Sequence, residues 1–202
     1  MNKAIVDTCF LEKFNIKGGF SDDDFRMLIE GADLELYIHP YVFDNELDMF
    51  SYAQRLVDKG ICKKVDYESF IGADYYFEMY KSLYIEIYNE FYERKKISNE
   101  FKAMKMHSLE PDTDIINNRY SGSSMGDVHI IMMALFMEIP IILSEDNIDM
   151  IEIYDIAKRK INSDRTSLKI YKLGDVIEMA KENGIILGSE LRRIRRAYDK
   201  HN

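Results

Sequence analysis

Hydrophobic and polar positions recur along this chain with two periods, and the places where the period changes mark its elements. Ala4-Ile5-Val6 is a short apolar run, so residues 3–11 read as a first strand whose apolar part ends at Asp7-Thr8. Lys17-Gly18-Gly19 is a turn, and Ser21 with Asp24 three residues on has the pattern of a capping box, opening a helix through Glu30 that Gly31 closes. Leu34, Leu36 and Ile38 alternate with polar neighbours, as in a half-buried strand, and His39-Pro40 opens a helix predicted to reach Lys59. From Val65 to about His107 the chain is acidic and rich in tyrosine. Tyr76 or Phe77, Tyr80, Leu83 or Tyr84, Ile87 and Phe91 recur there at helical spacing, which predicts one long amphipathic helix. Its aromatic stripe suits core packing or a helix partner, with base stacking as the other use of such rings. Residues 111–122, with Asp112, Asp114, Asn117 and Asn118, read as a loop.

The densest signal runs from Ser123 to Met150. Ser123, Ser124 and Gly126 are helix-start signals, and Asp127 falls in the first turn of a run, Val128 to Ile139, that is apolar on almost every face. Pro140 stops it. Ile141-Ile142-Leu143 then has the continuous apolarity of a strand covered on both faces, and Ser144-Glu145-Asp146-Asn147-Ile148-Asp149 follows directly. Ile151 to Ile161 reads as helix, Leu168 to Tyr171 as strand, Asp175 to Glu182 as helix ended by Asn183-Gly184, and a last helix begins at Ser189. Strands that alternate with helices in this way predict an α/β fold around a parallel sheet.

Length and composition fit one sizeable core. The chain has 202 residues, 47% apolar and 31% charged. The longest apolar stretch, Val128 to Leu143, is too short for a membrane helix and is interrupted by Glu138 and Pro140; the amino-terminal residues carry Asp7 and Glu12 where a secretory signal would be apolar. A cytoplasmic location is the expectation. Cys9 and Cys62 suggest neither a disulfide framework nor a zinc site and are expected to be buried thiols. A net charge of −9 argues against a polyanionic partner until its distribution is considered. Residues 158–202 hold twelve Lys/Arg against six Asp/Glu, and the rest of the chain fifteen against thirty. Arg192, Arg193, Arg195 and Arg196 of the last helix are the candidate contacts to a phosphate backbone, unless the tail is simply a solvated amphipathic helix.

Four acidic positions stand out by placement. Asp7 follows a strand, as a helix cap or as a ligand; Glu46 falls in the middle of the apolar arc of its helix (Val42, Phe43, Leu47, Met49, Phe50, Ala53, Leu56 and Val57), where it must be paired or serve a site; Asp127 starts the buried helix; Asp146 follows a strand. In open α/β sheets the crevice lies beyond the carboxyl ends of the strands, so Asp146 and Asp149 belong in or near it. Gathered carboxylates are stable when charged mainly around a hard dication, which points to Mg²⁺ or Mn²⁺ and to phosphodiester chemistry. No Gly-x-x-x-x-Gly-Lys-Ser/Thr loop is present, which counts against a P-loop NTPase. His39, His107, His129 and His201 show no ligand spacing.

Taken in order, Ile5-Val6-Asp7-Thr8, the Glu46-Leu47 pair, Gly126-Asp127 and Ser144-x-Asp146 within Pro140 to Asp149 resemble the PIN-domain family over roughly residues 3–50 and 120–172. The resemblance implies a three-layer α/β fold with a parallel sheet of order 3-2-1-4-5. It also implies a Mg²⁺ or Mn²⁺ site made of Asp7, Glu46, Asp127 and Asp146, with Thr8, Ser144 and Asp149 in support. Residues 1–172 would form the PIN-like domain, with a tyrosine-rich helical insertion at about 65–107, and residues 173–202 a helical extension packed on it. The activity it implies is a metal-dependent ribonuclease, with DNA as the alternative substrate, an inhibitory protein partner and self-association as further partners. Against this stands a PIN-like interaction module without catalysis; another α/β phosphotransfer enzyme is the third reading.

Overall fold

Backbone pairing sets five short strands side by side, all parallel, in the order β3-β2-β1-β4-β5. They are β1 Asn2–Val6, β2 Leu34–Ile38, β3 Cys62–Lys64, β4 Ile141–Leu143 and β5 Lys169–Tyr171. The computed structural model of the chain describes residues 1–14, 20–46, 51–72, 74–98, 106–117, 124–161, 167–186 and 188–200. The strand order is the one the resemblance implied. β1 lies between β2 and β4, with Ala4 in register with Leu36 and Ile141, so both its edges are paired and Ala4, Ile5 and Val6 are all fully buried. That position explains its unbroken apolarity.

The path β1 to β2 to β3 steps one way across the sheet, and β4 to β5 steps the other. Right-handed crossovers therefore put α2 (Asp22–Gly31) and α3 (Ser51–Asp58) on one face, and, after the short α4 (Tyr67–Ile71), α5 (Asp74–Ile97), α6 (Met125–Phe136) and α7 (Ile148–Ile161) on the opposite face. α5, α6 and α7 pack on one another, while α8 (Leu173–Asn183) folds back onto α2 and α9 (Gly188–Lys200) lies on α8. Residues 173–200 are thus part of the same body. Asn183 donates to the Gly31 carbonyl at 3.0 Å, and Gly31 lacks the Cβ that would collide with Ile186.

Several elements differ from expectation. β1 stops at Val6, because Asp7 caps a short helix, α1 (Thr8–Glu12), and the apolar Phe10 and Leu11 are buried from that helix rather than from a strand. β3 escapes the alternation rule: it is a three-residue edge strand with only Cys62 buried. The helix opened by Pro40 widens to π winding over Val42–Glu46 before α3 begins at Ser51; Leu47, Met49 and Phe50 lie outside the described residues, as do Lys17-Gly18-Gly19, Asn118, Ser123 and His201. α6 starts at Met125 and ends three residues before Ile139, with Glu138 at φ 53° turning the chain ahead of Pro140.

The tyrosine-rich helix α5 is core. Tyr80, Tyr84, Tyr88 and Phe91 are buried; the Tyr84 hydroxyl donates to the Met125 carbonyl at 2.9 Å, and the Tyr80 hydroxyl meets His129 Nδ1 at 2.8 Å. His129 Nε2 lies 3.0 Å from the Ile115 carbonyl, and its ring stacks on Tyr41 at 4.4 Å and His39 at 4.7 Å. Burial lowers the His129 pKa to about 3, so it packs as a neutral ring.

At its far end α5 is tied to α7 by charge. Glu90 meets Arg94, Arg159 and Lys160, and Lys95, 6% exposed, reaches Asp149 at 2.7 Å and Glu152 at 3.3 Å. Removing one partner from a buried pair strands the other charge, which costs about 3–5 kcal/mol. Lys95→Met is therefore expected to lower the unfolding free energy by roughly that amount, read from urea titration, whereas Lys181→Met, at an exposed pair with Glu178, leaves the midpoint unchanged.

Candidate functional site

β1 leads to β2 on one side of the sheet and β4 to β5 on the other, so the strand order reverses between the parallel strands β1 and β4, the switch point at which an open α/β sheet forms its crevice. Asp7 stands at the carboxyl end of β1 and Ser144 at that of β4. The Ser144 hydroxyl lies 2.9 Å from Asp7 Oδ2, and Asp7 Oδ2 also accepts the Cys9 thiol at 2.7 Å while Oδ1 accepts the Thr8 amide at 2.7 Å. Asp7 is therefore both a helix cap and a buried crevice carboxylate, at 6% exposure. Burial raises its pKa, and the Asp146 charge adds to that against these hydrogen bonds. Burial likewise pushes the half-buried Cys9 thiol up, with the Asp7 charge beside it, so Cys9 remains a thiol donor; Cys62 is a buried thiol.

Glu46 ends the π-helical segment and reaches back to the same crevice. Its Oε2 accepts the Thr8 hydroxyl at 2.7 Å, and its carboxylate lies over Gly126, where any Cβ would overlap it. Glycine at 126 is what lets this acid approach the start of α6. Burial, with the Asp7 charge next, raises the Glu46 pKa to about 7. Asp127, one residue on, is raised well above the usual carboxylate range by burial and then by Asp7, Glu46 and Asp149, with a Ser124 hydrogen bond opposing. Asp7, Glu46 and Asp127 thus share one neighbourhood, Asp7 buried and Glu46 and Asp127 half-buried.

The remaining expected site residues are placed differently. Asp146 is exposed; its backbone N–H and carbonyl meet the Ser144 hydroxyl at 3.1 and 2.9 Å, and its charge reaches Asp7. The Thr8 hydroxyl is hydrogen-bonded to Glu46 and the Ser144 hydroxyl to Asp7. Asp149 is engaged by Lys95, a residue not singled out from the sequence because Glu93-Arg94-Lys95-Lys96 reads as a solvated helix end. On α9, Arg193 pairs with Asp24 and Arg195 with Glu178, while Arg192 and Arg196 are exposed without an ion pair among the described residues.

The donor set is all oxygen, which suits Mg²⁺ or Mn²⁺ in chemistry. Among the described residues, however, no three His, Cys, Asp or Glu side chains converge into a ready cage for an ion. No described helix is long and apolar enough to cross a membrane. No family model, curated protein or solved structure matches the chain.

Glu46 gives the site a pH signature. Its folded pKa of about 7 lies above the ordinary 4.5, so the native state holds the extra proton and stability is lost as pH rises through that window. Relative to wild type, Glu46→Gln is expected to be nearly neutral at about pH 4, below the unfolded pKa, and more stable by about 3 kcal/mol at about pH 8 in chelator, at 1.36 kcal/mol per pKa unit; equal differences at both pH values in chemical denaturation would contradict this.

Proposed function

We propose that the chain is a metal-dependent phosphodiesterase of the PIN-like kind, acting on RNA in preference to DNA. The observation that carries this reading is the group of mutually repelling carboxylates at the switch point of the sheet, Asp7 buried and Glu46 and Asp127 half-buried beside it. Such a group is relieved either by protons or by a cation, and the raised proton affinities say which relief the metal-free protein uses. Asp7, Glu46 and Asp127, with Asp146 at the rim, would hold Mg²⁺ or Mn²⁺, which supplies Lewis acidity and charge neutralisation toward a phosphodiester. Thr8 and Ser144 hold the carboxylates of Glu46 and Asp7 in place, and Gly126 keeps Glu46 within reach of Asp127. Arg192 and Arg196 provide charge for the backbone of a polynucleotide. A cytoplasmic location agrees with an RNA substrate.

A second reading, an interaction module without catalysis, is favoured by the lack of three converging ligands among the described residues and by the exposed Ile97, Ile148 and Ile151 at the neighbouring ends of α5 and α7. An inhibitory protein or a second copy of the chain would be the partner.

Labelled single-stranded RNA and DNA, incubated with the protein and Mg²⁺, Mn²⁺ or chelator, separate the two. The nuclease reading expects metal-dependent cutting of RNA that falls by at least about a hundredfold in Asp127→Asn, the scale of losing a group that acts only on the transition state. A folded wild-type protein that neither cuts nor binds metal would leave the interaction module.

A further inference from the structure

Lys95 is a buried cation at the edge of the crevice that the site as described so far does not use. It lies near the carboxyl end of α5, only 6% exposed, and an ammonium in such a place is stable only when its charge is matched. Two acids from the first two turns of α7 match it. Nζ lies 2.7 Å from Asp149 Oδ1, 3.3 Å from Glu152 Oε2 and 5.1 Å from the centre of the Phe91 ring. The two acids do not depend on it equally. Glu152 has a second cation in Arg94, at 3.6 Å, whereas Asp149 has no other ion pair among the described residues. Asp149 belongs to the crevice as well: it stands in the first turn of α7, shortly beyond Ser144 whose hydroxyl is bonded to Asp7, and its charge reaches Asp127.

We infer that Lys95 stands in for a second cation on the Asp149 side of the crevice, so that the site holds a single divalent ion, at Asp7, Glu46 and Asp127. This rests on the nuclease reading and sets the number of ions it needs. Two-ion phosphodiesterase sites place their ions about 3.5–4 Å apart, which requires carboxylates with oxygens to spare on both sides of the pair. Here one side is already neutralised. An ammonium 2.7 Å from Asp149 cancels the charge that would draw a second dication, and repels any that approaches the same carboxylate. Lysine suits the part, since its charge is compact and imposes no coordination geometry. Lys95 is a positioning residue: it acts through Asp149 and, at its depth, is not offered to the substrate.

The test is the number of Mn²⁺ ions bound per chain, read from the electron paramagnetic resonance signal of free Mn²⁺ as the metal-free protein is titrated, with circular dichroism to check folding. The wild-type protein should bind one ion, and so should Lys95→Arg, which keeps the charge. Lys95→Met leaves Asp149 charged and unpaired, and should bind two. A wild type that binds two, or a Lys95→Met protein that still binds one, overturns the stand-in role and leaves the nuclease reading intact. A folded wild-type protein that binds none overturns both. Because Lys95→Met breaks a buried pair, Lys95→Met/Asp149→Asn decides the matter if the single variant does not fold. It removes both charges together and strands neither. It should bind one ion with an affinity within about tenfold of wild type, the scale on which a lost supporting residue is felt. A larger loss makes Asp149 a ligand of the ion itself and overturns the stand-in role, as does a second ion.

Discussion

Carboxylates that repel one another in a partly desolvated crevice are the constraint around which this protein is built. Asp7, Glu46 and Asp127 come from three separate parts of the chain, and each raises the cost of charging another. Asp7 also caps α1, but nothing in the packing of an α/β domain asks for Glu46 and Asp127 beside it. The surrounding structure is arranged to tolerate them: the Thr8 hydroxyl on Glu46, the Ser144 hydroxyl and Cys9 thiol on Asp7, and a glycine where a side chain would push Glu46 away.

The sheet makes this gathering geometrically natural. Because β1 is central and the chain leaves the parallel strands β1 and β4 toward opposite sides of the sheet, a crevice opens beyond their carboxyl ends, where the first polar residues after each, Asp7 and Ser144, meet. The insertion between β3 and β4 strengthens the same region. Its long helix packs tyrosines around His129 and fixes the start of α6 through Tyr84, and at its far end it places Lys95 against Asp149. An aromatic stripe that could have met bases is instead an internal brace.

Much of this was legible in the sequence, and the failures have physical causes. The β1 and β4 cores were plain because a strand paired on both edges and covered on both faces must be apolar throughout, as Ala4-Ile5-Val6 and Ile141-Ile142-Leu143 are. β3 was invisible because Lys63 and Lys64 are exposed on an edge strand and bury nothing. Residues 9–11 looked like strand because apolar residues next to a strand carry no period of their own; the capping geometry of Asp7 decided for helix. Glu46 was found by an α-helical wheel, although the segment winds as π, because Val42 before it and Ala53 and Leu56 after it are buried and mark the same apolar face. Lys95 could not be found, since one buried lysine within a charged run has the same letters as a solvated one. The partners of Arg193 and Arg195 lie 169 and 17 residues away in sequence, beyond any local pattern.

The π winding of Val42–Glu46 has a consequence for chain length. A turn closed by i→i+5 bonds carries one residue more than an ordinary helical turn and is held there only by its surroundings. Loss of a single residue between His39 and Asn45 would let the backbone relax into α-helix, and would swing every later side chain of the turn by roughly 100°. The acid would leave the crevice without any change in its own side chain. The spacing itself is therefore as specific a requirement as the identity of Glu46.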